Sequence, residues 1–411
     1  MRRPANSVQE GESLREALDR SRTRMVKTPS QLELDDTNRP DFTSNLDLPR
    51  HGWYRFKEGF SATLVKAFVD EHMPSRRRGR LLDPFLGSGT TAVEGARLGH
   101  DVHGMEVNPF MAFLADVKTR DYSEVKNIEG IAAQCLKSTV RDGKFSLPSD
   151  TTLVERKSLK KWLFNKEVAQ RFEQLRTSIH RVRSVAARDL LILALVSSVE
   201  SVANARKDGK CWRYKANWRL SRFDAKDLDV AFAGSVMRYG NDILLSPKLI
   251  GCATVTRGDA REMSARLRPG ILFDGVLTSP PYLNSFDYTD IYRPELLLLK
   301  EVKNSEELRN LRFGTLRSHV QVAWTASAPL QIPALRKKIL AIHGSNLWCG
   351  RIPEMINAYF VDLNRVIGHC ASRLSLGAKA GFVVADSAYC GEVIPVASIL
   401  AEILERNGFF A

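Results

Sequence analysis

The chain has little cysteine in any useful arrangement and no long apolar run. Its six cysteines, Cys135, Cys211, Cys252, Cys349, Cys370 and Cys390, are scattered without a C-x-x-C pair, and the eight histidines do not gather beside them. That spacing offers neither a zinc site nor a disulfide framework, so no metal is expected. No apolar stretch is long enough to cross a bilayer, and Met1-Arg2-Arg3-Pro4 leads into charged residues instead of an apolar signal core. A reducing cytoplasm is the expected compartment. Acidic residues are also in deficit, 47 against 61 Lys and Arg, leaving a net charge of +14. Such an imbalance points to a polyanionic partner, either nucleic acid or an acidic membrane surface. A hydrophobic content of 44% excludes general disorder, and 411 residues suffice for one catalytic domain with insertions or for two domains.

What is present centres on two runs. In the first, an apolar strand at Leu81-Leu82 enters the turn Asp83-Pro84-Phe85-Leu86-Gly87-Ser88-Gly89-Thr90-Thr91, and a helical pattern follows. A glycine turn between strand and helix is where α/β sheets take cofactors. Gly87 and Gly89 permit close approach or φ > 0, and Thr90 or Thr91 can cap the helix. No Gly-Lys-Ser/Thr closes the turn, which disfavours a nucleoside triphosphate. The next strand, Asp101 to Met105, ends in Glu106 and then Val107-Asn108-Pro109. An acid about twenty residues past the turn suits ribose hydroxyls. The second run is Phe273 to Thr278 followed by Ser279-Pro280-Pro281-Tyr282, a strand closed by two prolines that cannot extend a ladder.

Together these runs resemble the S-adenosylmethionine-dependent DNA amino methyltransferases, whose catalytic loop reads Ser/Asn/Asp-Pro-Pro-Tyr/Phe. The resemblance implies an α/β fold: a Rossmann-like methyltransferase sheet with helices on both faces, plus a helical insertion. It implies S-adenosyl-L-methionine held by Asp83, Pro84, Phe85, Gly87, Gly89, Thr90, Thr91, Glu106, Asn108 and Thr278. Phe60-Ser61 resembles the segment that walls the methionine half, with a purely structural aromatic cluster as the alternative. Ser279, Pro280, Pro281 and Tyr282 would form the catalytic loop, Ser279 and the Pro280 carbonyl accepting from the target amine and Tyr282 stacking on the base. Ser at the head of the loop favours N4 of cytosine over N6 of adenine. The glycine motif precedes the proline motif, whereas many N4-cytosine enzymes show the opposite order, so the subgroup stays open and an RNA base methyltransferase is a further alternative. A cytosine C5 enzyme needs a Pro-Cys nucleophile, and the chain has none. Implied partners are double-stranded DNA and a cognate restriction endonuclease, in a bacterial or phage setting at the nucleoid.

Taken in order, residues 1–40 are polar and charged and read as a mobile arm with one helical stretch near Ser13 to Met25. Residues 41–120 form the first part of the catalytic domain, with Ser61 as N-cap of a helix from Ala62. Residues 121–250 are expected as a helical insertion, Lys160 to Ala205 being strongly helical and Leu190 to Val202 a core helix. At its end Arg206, Lys207, Lys210, Trp212, Arg213, Tyr214 and Lys215 interleave cations with aromatics, the mixture nucleic acids select; aromatics folded inward are the alternative. Residues 251–411 complete the domain. A strand at Cys252 to Thr256 runs to Asp259, placed for the cofactor's adenine amino group or for a salt bridge. Asn284, Phe286, Asp287 and Tyr288 are candidates to line a base pocket, with Asn284 assigned to nucleic acid. An insertion spans about 289–351, then a helix from Glu354 to Leu376, a strand at Ala380 to Val384 and a helix from Pro395 to Arg406. The family's closing hairpin is expected to be curtailed or to lie past the end of this sequence.

Overall fold

The computed structural model describes residues 42–73, 78–138, 152–208, 211–220, 222–321 and 324–410. The arm expected over 1–40 lies outside them. Helix α1 (Ala62–His72) precedes β1 (Arg80–Asp83), α2 (Thr90–Arg97), β2 (Asp101–Glu106) and α3 (Pro109–Thr119). The inserted part comprises α4 (Ile128–Lys137), α5 (Lys166–Ile179), α6 (Val185–Ser198), the hairpin β3 (Ala205–Lys207) and β4 (Trp212–Tyr214), and α7 (Ala225–Leu245). There follow β5 (Ala253–Arg257), α8 (Met263–Arg266), β6 (Phe273–Thr278), α9 (Tyr288–Ile291), α10 (Arg293–Leu298), α11 (Ser305–Phe313) and α12 (Pro333–Ile342). The chain closes with α13 (Ile352–Arg373), β7 (Leu374–Phe382), the hairpin β8 (Ser387–Tyr389) and β9 (Glu392–Ile394), and α14 (Val396–Arg406).

Five strands form one sheet in the order β5-β2-β1-β6-β7, and every pairing is parallel. The chain runs outward from β1 to β2 and β5, then returns to β6 and β7 on the other side. Strand order therefore reverses between β1 and β6, and the loops leaving their carboxyl ends diverge into a crevice. Alternation along the strands builds two cores, because successive side chains point to opposite faces. Leu81, Val102 and Leu277 pack with Val65, Phe68 and Ala115, whereas Leu82, Met105 and Val276 pack with Tyr359, Leu363, Ile399 and Ile403. Helices thus cover both faces of a Rossmann-like sheet.

A third core lies in the insertion, where Phe172, Leu190, Leu193, Phe232 and Val236 gather with Trp53 and Phe110. Helix α6 is buried on nearly every side, as its uniform apolarity requires. The long helical tract expected over Lys160 to Ala205 is two helices, because Ser184 caps a new start by accepting from Ala187 N–H. Strand β7 begins at Leu374, six residues before the expected Ala380. It is the edge strand, where Leu376 stands exposed and Ser375 to Ala378 bulge away from β6, the register passing from Phe273–Leu374 to Gly275–Lys379.

The insertion is fastened to the sheet by Arg50, whose side chain is buried. Its guanidinium donates to the carbonyls of Lys118 and Arg120 at the end of α3, at 2.9 Å each, and to those of Ser246 and Pro247 beyond α7, at 2.6 and 2.9 Å. One planar fork thereby satisfies carbonyls at two helix ends. Arg50→Met should lower the free energy of unfolding by about 3 kcal/mol or more, since buried acceptors lose their donors. Arg50→Lys should not rescue it, as read by urea denaturation, because a point charge cannot span four carbonyls.

Candidate active site

A single carboxylate aligns the two motifs. Asp83, at the end of β1, is 1% exposed. Its Oδ1 accepts from the Thr278 hydroxyl at 2.6 Å and from Phe85 N–H at 3.0 Å, and its Oδ2 accepts from the Thr91 hydroxyl at 2.6 Å. The tip of β1, the tip of β6 and the first turn of α2 are thus held to one group. Asp83, Thr91 and Thr278, expected as cofactor contacts, do not line the cleft that opens above them. Their polar atoms are consumed by this bracket. Nor does either threonine cap α2: the N-cap is Gly89, at φ +87°. A Cβ on Gly89 would come within 2.9 Å of Ala115 Cβ, so this glycine serves the packing of α2 against α3.

The cleft encloses about 1070 Å³, part of it open to solvent, and receives both loops. From the glycine turn come Pro84, Phe85, Gly87, Ser88 and Thr90; from the ends of β2 and β5 come Glu106, Asn108 and Asp259; from the proline loop come Ser279, Pro280, Pro281 and Tyr282. Phe60 also lines it, whereas Ser61 caps α1 by accepting from Leu64 N–H at 3.2 Å and lies outside the lining. Gly87, at φ +53°, lies against Phe56: a Cβ there would meet the ring at 3.2 Å.

Glu106 accepts from Gly87 N–H at 2.8 Å and Asn108 N–H at 2.7 Å. Burial raises its carboxyl to about 7, against the pull of those backbone donors. Beside it the Ser88 hydroxyl and the Asn108 amide nitrogen are buried without a partner, while Asn108 Oδ1 caps α3 by accepting from Phe110 N–H at 3.0 Å. This set can accept from and donate to a ligand carrying hydroxyls. Asp259 also faces the cleft, yet Arg261 grips it, with Nη2 at 2.6 Å and Nε at 2.9 Å from Oδ2. The salt bridge kept open at this position is present.

On the opposite side the Ser279 hydroxyl donates to the Val383 carbonyl at 3.1 Å, which spends its proton and leaves oxygen lone pairs as acceptors. Tyr288 joins the lining, but Asn284 is exposed and outside it, its side chain accepting from Phe286 N–H at 3.1 Å. Asp287 is likewise withdrawn, buried against the Arg312 guanidinium at 2.5 Å. Sequence reasoning missed Phe56, Glu58, Tyr292 and the wall from Gly314 to His319. Tyr292 stacks on Phe56 with centroids 5.8 Å apart and donates to Glu58 at 2.6 Å. The only local signal was the aromatic density around Trp53 to Phe60.

The expected cation and aromatic surface is largely turned inside out. Lys207 lies buried; its ammonium reaches Glu295 at 2.5 Å and the Tyr54 hydroxyl, over the rings of Tyr54, Trp212 and Tyr292. Trp212 donates inward to the Ile291 carbonyl at 2.9 Å, Tyr214 leans on Trp218 at 5.3 Å, and Lys215 reaches the Ser201 carbonyl at 3.2 Å. Strand alternation explains the split, for Arg206 and Arg213 are cross-strand partners on the outer face and both are exposed. Lys210 lies outside the described residues.

Burial holds the Asp83 carboxyl at about 6, with its three hydrogen bonds pulling downward. The folded protein therefore keeps a proton that the unfolded chain, titrating near ~4, releases, and stability declines as pH rises through that interval. Asp83→Asn should destabilise the protein at every pH by about 1–3 kcal/mol per orphaned hydroxyl. The gap between wild type and variant should narrow as pH rises from 4 to 7, measured by thermal melting.

Comparisons with known proteins find relatives among Type II methyltransferases. The chain is 25% identical to the Type II methyltransferase M.BsoBI of Geobacillus stearothermophilus, the match covering 90% of this chain and 80% of that protein. It is 26% identical to the Type II methyltransferase M.AvaI of Nostoc sp. over the same shares, and 24% identical to the Type II methyltransferase M.MvaI of Kocuria varians over 50% of this chain and 47% of that protein. No family model matches, and no solved structure matches. Across nine-tenths of its length the chain is similar to Type II methyltransferases.

Proposed function

We propose that the protein is a site-specific DNA methyltransferase that moves the methyl group of S-adenosyl-L-methionine to the exocyclic N4 of cytosine in duplex DNA. The observation that carries this reading is that the Gly87 turn and the Ser279-Pro280-Pro281-Tyr282 loop, on neighbouring strands, open into one cleft. The cleft fits the cofactor chemically: Glu106, Ser88 and Asn108 answer ribose and polar groups, and Phe85, Met105, Val107 and Ala260 offer apolar surface to a flat ring. S-adenosylmethionine supplies a methyl group on a positively charged sulfur.

The residues of the chain supply position and acceptors. An exocyclic base amine is a poor nucleophile because its lone pair is delocalised into the ring. The Ser279 oxygen and the Pro280 carbonyl, accepting its two N–H bonds, localise that pair and stabilise the positive charge that develops. The prolines keep these acceptors on a rigid loop, and Tyr282 provides a stacking face for a base turned out of the helix, at a cost of a few kcal/mol. Arg206, Lys210 and Arg213 are the proposed phosphate contacts of the insertion. N6 of adenine remains the alternative target, because either amine presents the same two donors to the loop. The kinship with Type II methyltransferases supports a role beside a cognate restriction endonuclease.

Wild-type protein incubated with labelled cofactor and duplex DNA should incorporate label into N4-methylcytosine, identified by nucleoside mass spectrometry. Ser279→Ala should reduce turnover by about a hundredfold or more, as the loss of a preorganised acceptor does, and Tyr282→Ala by about tenfold or more through the lost stacking face. Undiminished turnover in both would remove the loop from the reaction. Cofactor affinity should rise with pH, about tenfold per unit below 7, as Glu106 ionises, and flatten above it. Glu106→Gln should abolish that slope in calorimetry.

A further inference from the structure

The segment between Glu307 and Glu354 contains no acidic residue, yet it carries Arg309, Arg312, Arg317, Arg336, Lys337, Lys338 and Arg351. In a chain where Asp and Glu make up 47 of 411 residues, so long a gap concentrates positive potential on one part of the surface. Four of the seven cations are engaged within the fold. Arg312 pairs with Asp287, Arg317 with Asp362 and Lys338 with Glu392, and Arg351 donates to the Val320 carbonyl. Arg336 and Lys337 project from the outer side of α12, exposed and without an ion pair among the described residues. The loop that follows exposes His343 and lifts Trp348 to 68% exposure.

The topology places this surface beside the cleft. Loops after β6 and β7 leave the same carboxyl edge of a parallel sheet, and α12 belongs to the first of them. Lys338 of α12 bonds Glu392 of the β8-β9 hairpin at 3.0 Å, and Tyr389 of that hairpin donates to the Leu283 carbonyl at 3.0 Å, next to Tyr282. The start of the same acid-poor segment, Gly314 to His319, walls the cleft itself. Exposed cations with an exposed indole, which the β3-β4 hairpin does not present, are present here.

We infer that the outer face of α12 and the loop after it, through Arg336, Lys337, His343 and Trp348, form a duplex-DNA contact surface flanking the cleft mouth, in addition to Arg206 and Arg213. Cations beside an everted base hold the phosphates that flank it. Trp348 offers an apolar face to the stack disturbed by eversion. This inference rests on the reading that the substrate is DNA.

The test is fluorescence anisotropy of a labelled duplex carrying the methylated sequence, titrated with full-length protein at several salt concentrations. In Arg336→Gln/Lys337→Gln the slope of log affinity against log salt should become shallower by about 1.8, at roughly 0.9 per lost phosphate contact. In Trp348→Ala affinity should fall about tenfold with the slope unchanged. Calorimetric cofactor affinity and melting temperature should match wild type in both variants, which separates a lost contact from a damaged fold. An unchanged slope and unchanged affinity in these variants would overturn this surface while leaving the proposed function standing. Loss of anionic phosphatidylserine vesicle binding in the variants, with duplex binding intact, would reassign the surface to a lipid and also overturn it. A wild-type protein that binds and methylates no duplex would overturn both readings.

Discussion

The fold depends on one buried carboxylate between two parallel strands. Without Asp83, the turn after β1 and the loop after β6 would be adjacent in the sheet but free to choose their relative pitch. With it, Thr278 and Thr91 are pulled to the same group, and the tips that carry the glycines and the prolines acquire a fixed spacing. The site tolerates this buried acid because both of its oxygens accept hydrogen bonds, and burial keeps its proton affinity high. Residues that the family resemblance assigns to the cofactor thus sit one layer below the cleft, as brackets for the residues that line it.

The remaining wall depends on contacts reaching across the inserted parts. Arg50 joins the ends of α3 and α7, and Lys207 joins the β3-β4 hairpin to Glu295 on α10. Lys207 sits among Tyr54, Trp212 and Tyr292, and Tyr292 carries the arrangement onward to Glu58 and Phe56 at the cleft. A buried ion pair of this kind contributes little net stability but fixes one packing among many. It sets the hairpin's exposed arginines and the cleft wall in a single frame, the inner and outer faces of one short strand serving different ends.

The parts of the site legible in the sequence were those whose chemistry is local. Gly87 and Gly89 announce a turn, Pro280-Pro281 announces the end of a strand, and Glu106 marks the tip of the next strand, because each depends on backbone geometry within a few residues. Strand β7 was misplaced at its start, since Leu374 pairs with Phe273 while Ser375 to Ala378 bulge without a register partner on β6, an irregularity that no local pattern announces. Lys207 and Glu295 are 88 residues apart, and no periodicity or motif connects them. The same holds for Tyr292 and Glu58, and for Gly314 to His319, which reach the cleft only because the second insertion folds back over it. The aromatic and basic run at 206–215 misled in a specific way: composition reports which groups are available, whereas strand alternation decides which face they take.

The central claim is that methyl donor and target base share the cleft between the tips of β1 and β6. Irradiating the protein with methyl-labelled S-adenosylmethionine and mapping the labelled peptides by mass spectrometry tests it most directly. The account predicts label within Phe56 to Phe60, Phe85 to Thr90 or Ser279 to Tyr282, and its suppression by duplex bearing the methylated product. Label confined to the helical insertion, such as α5 or α6, or label in the cleft that no duplex disturbs, would contradict it.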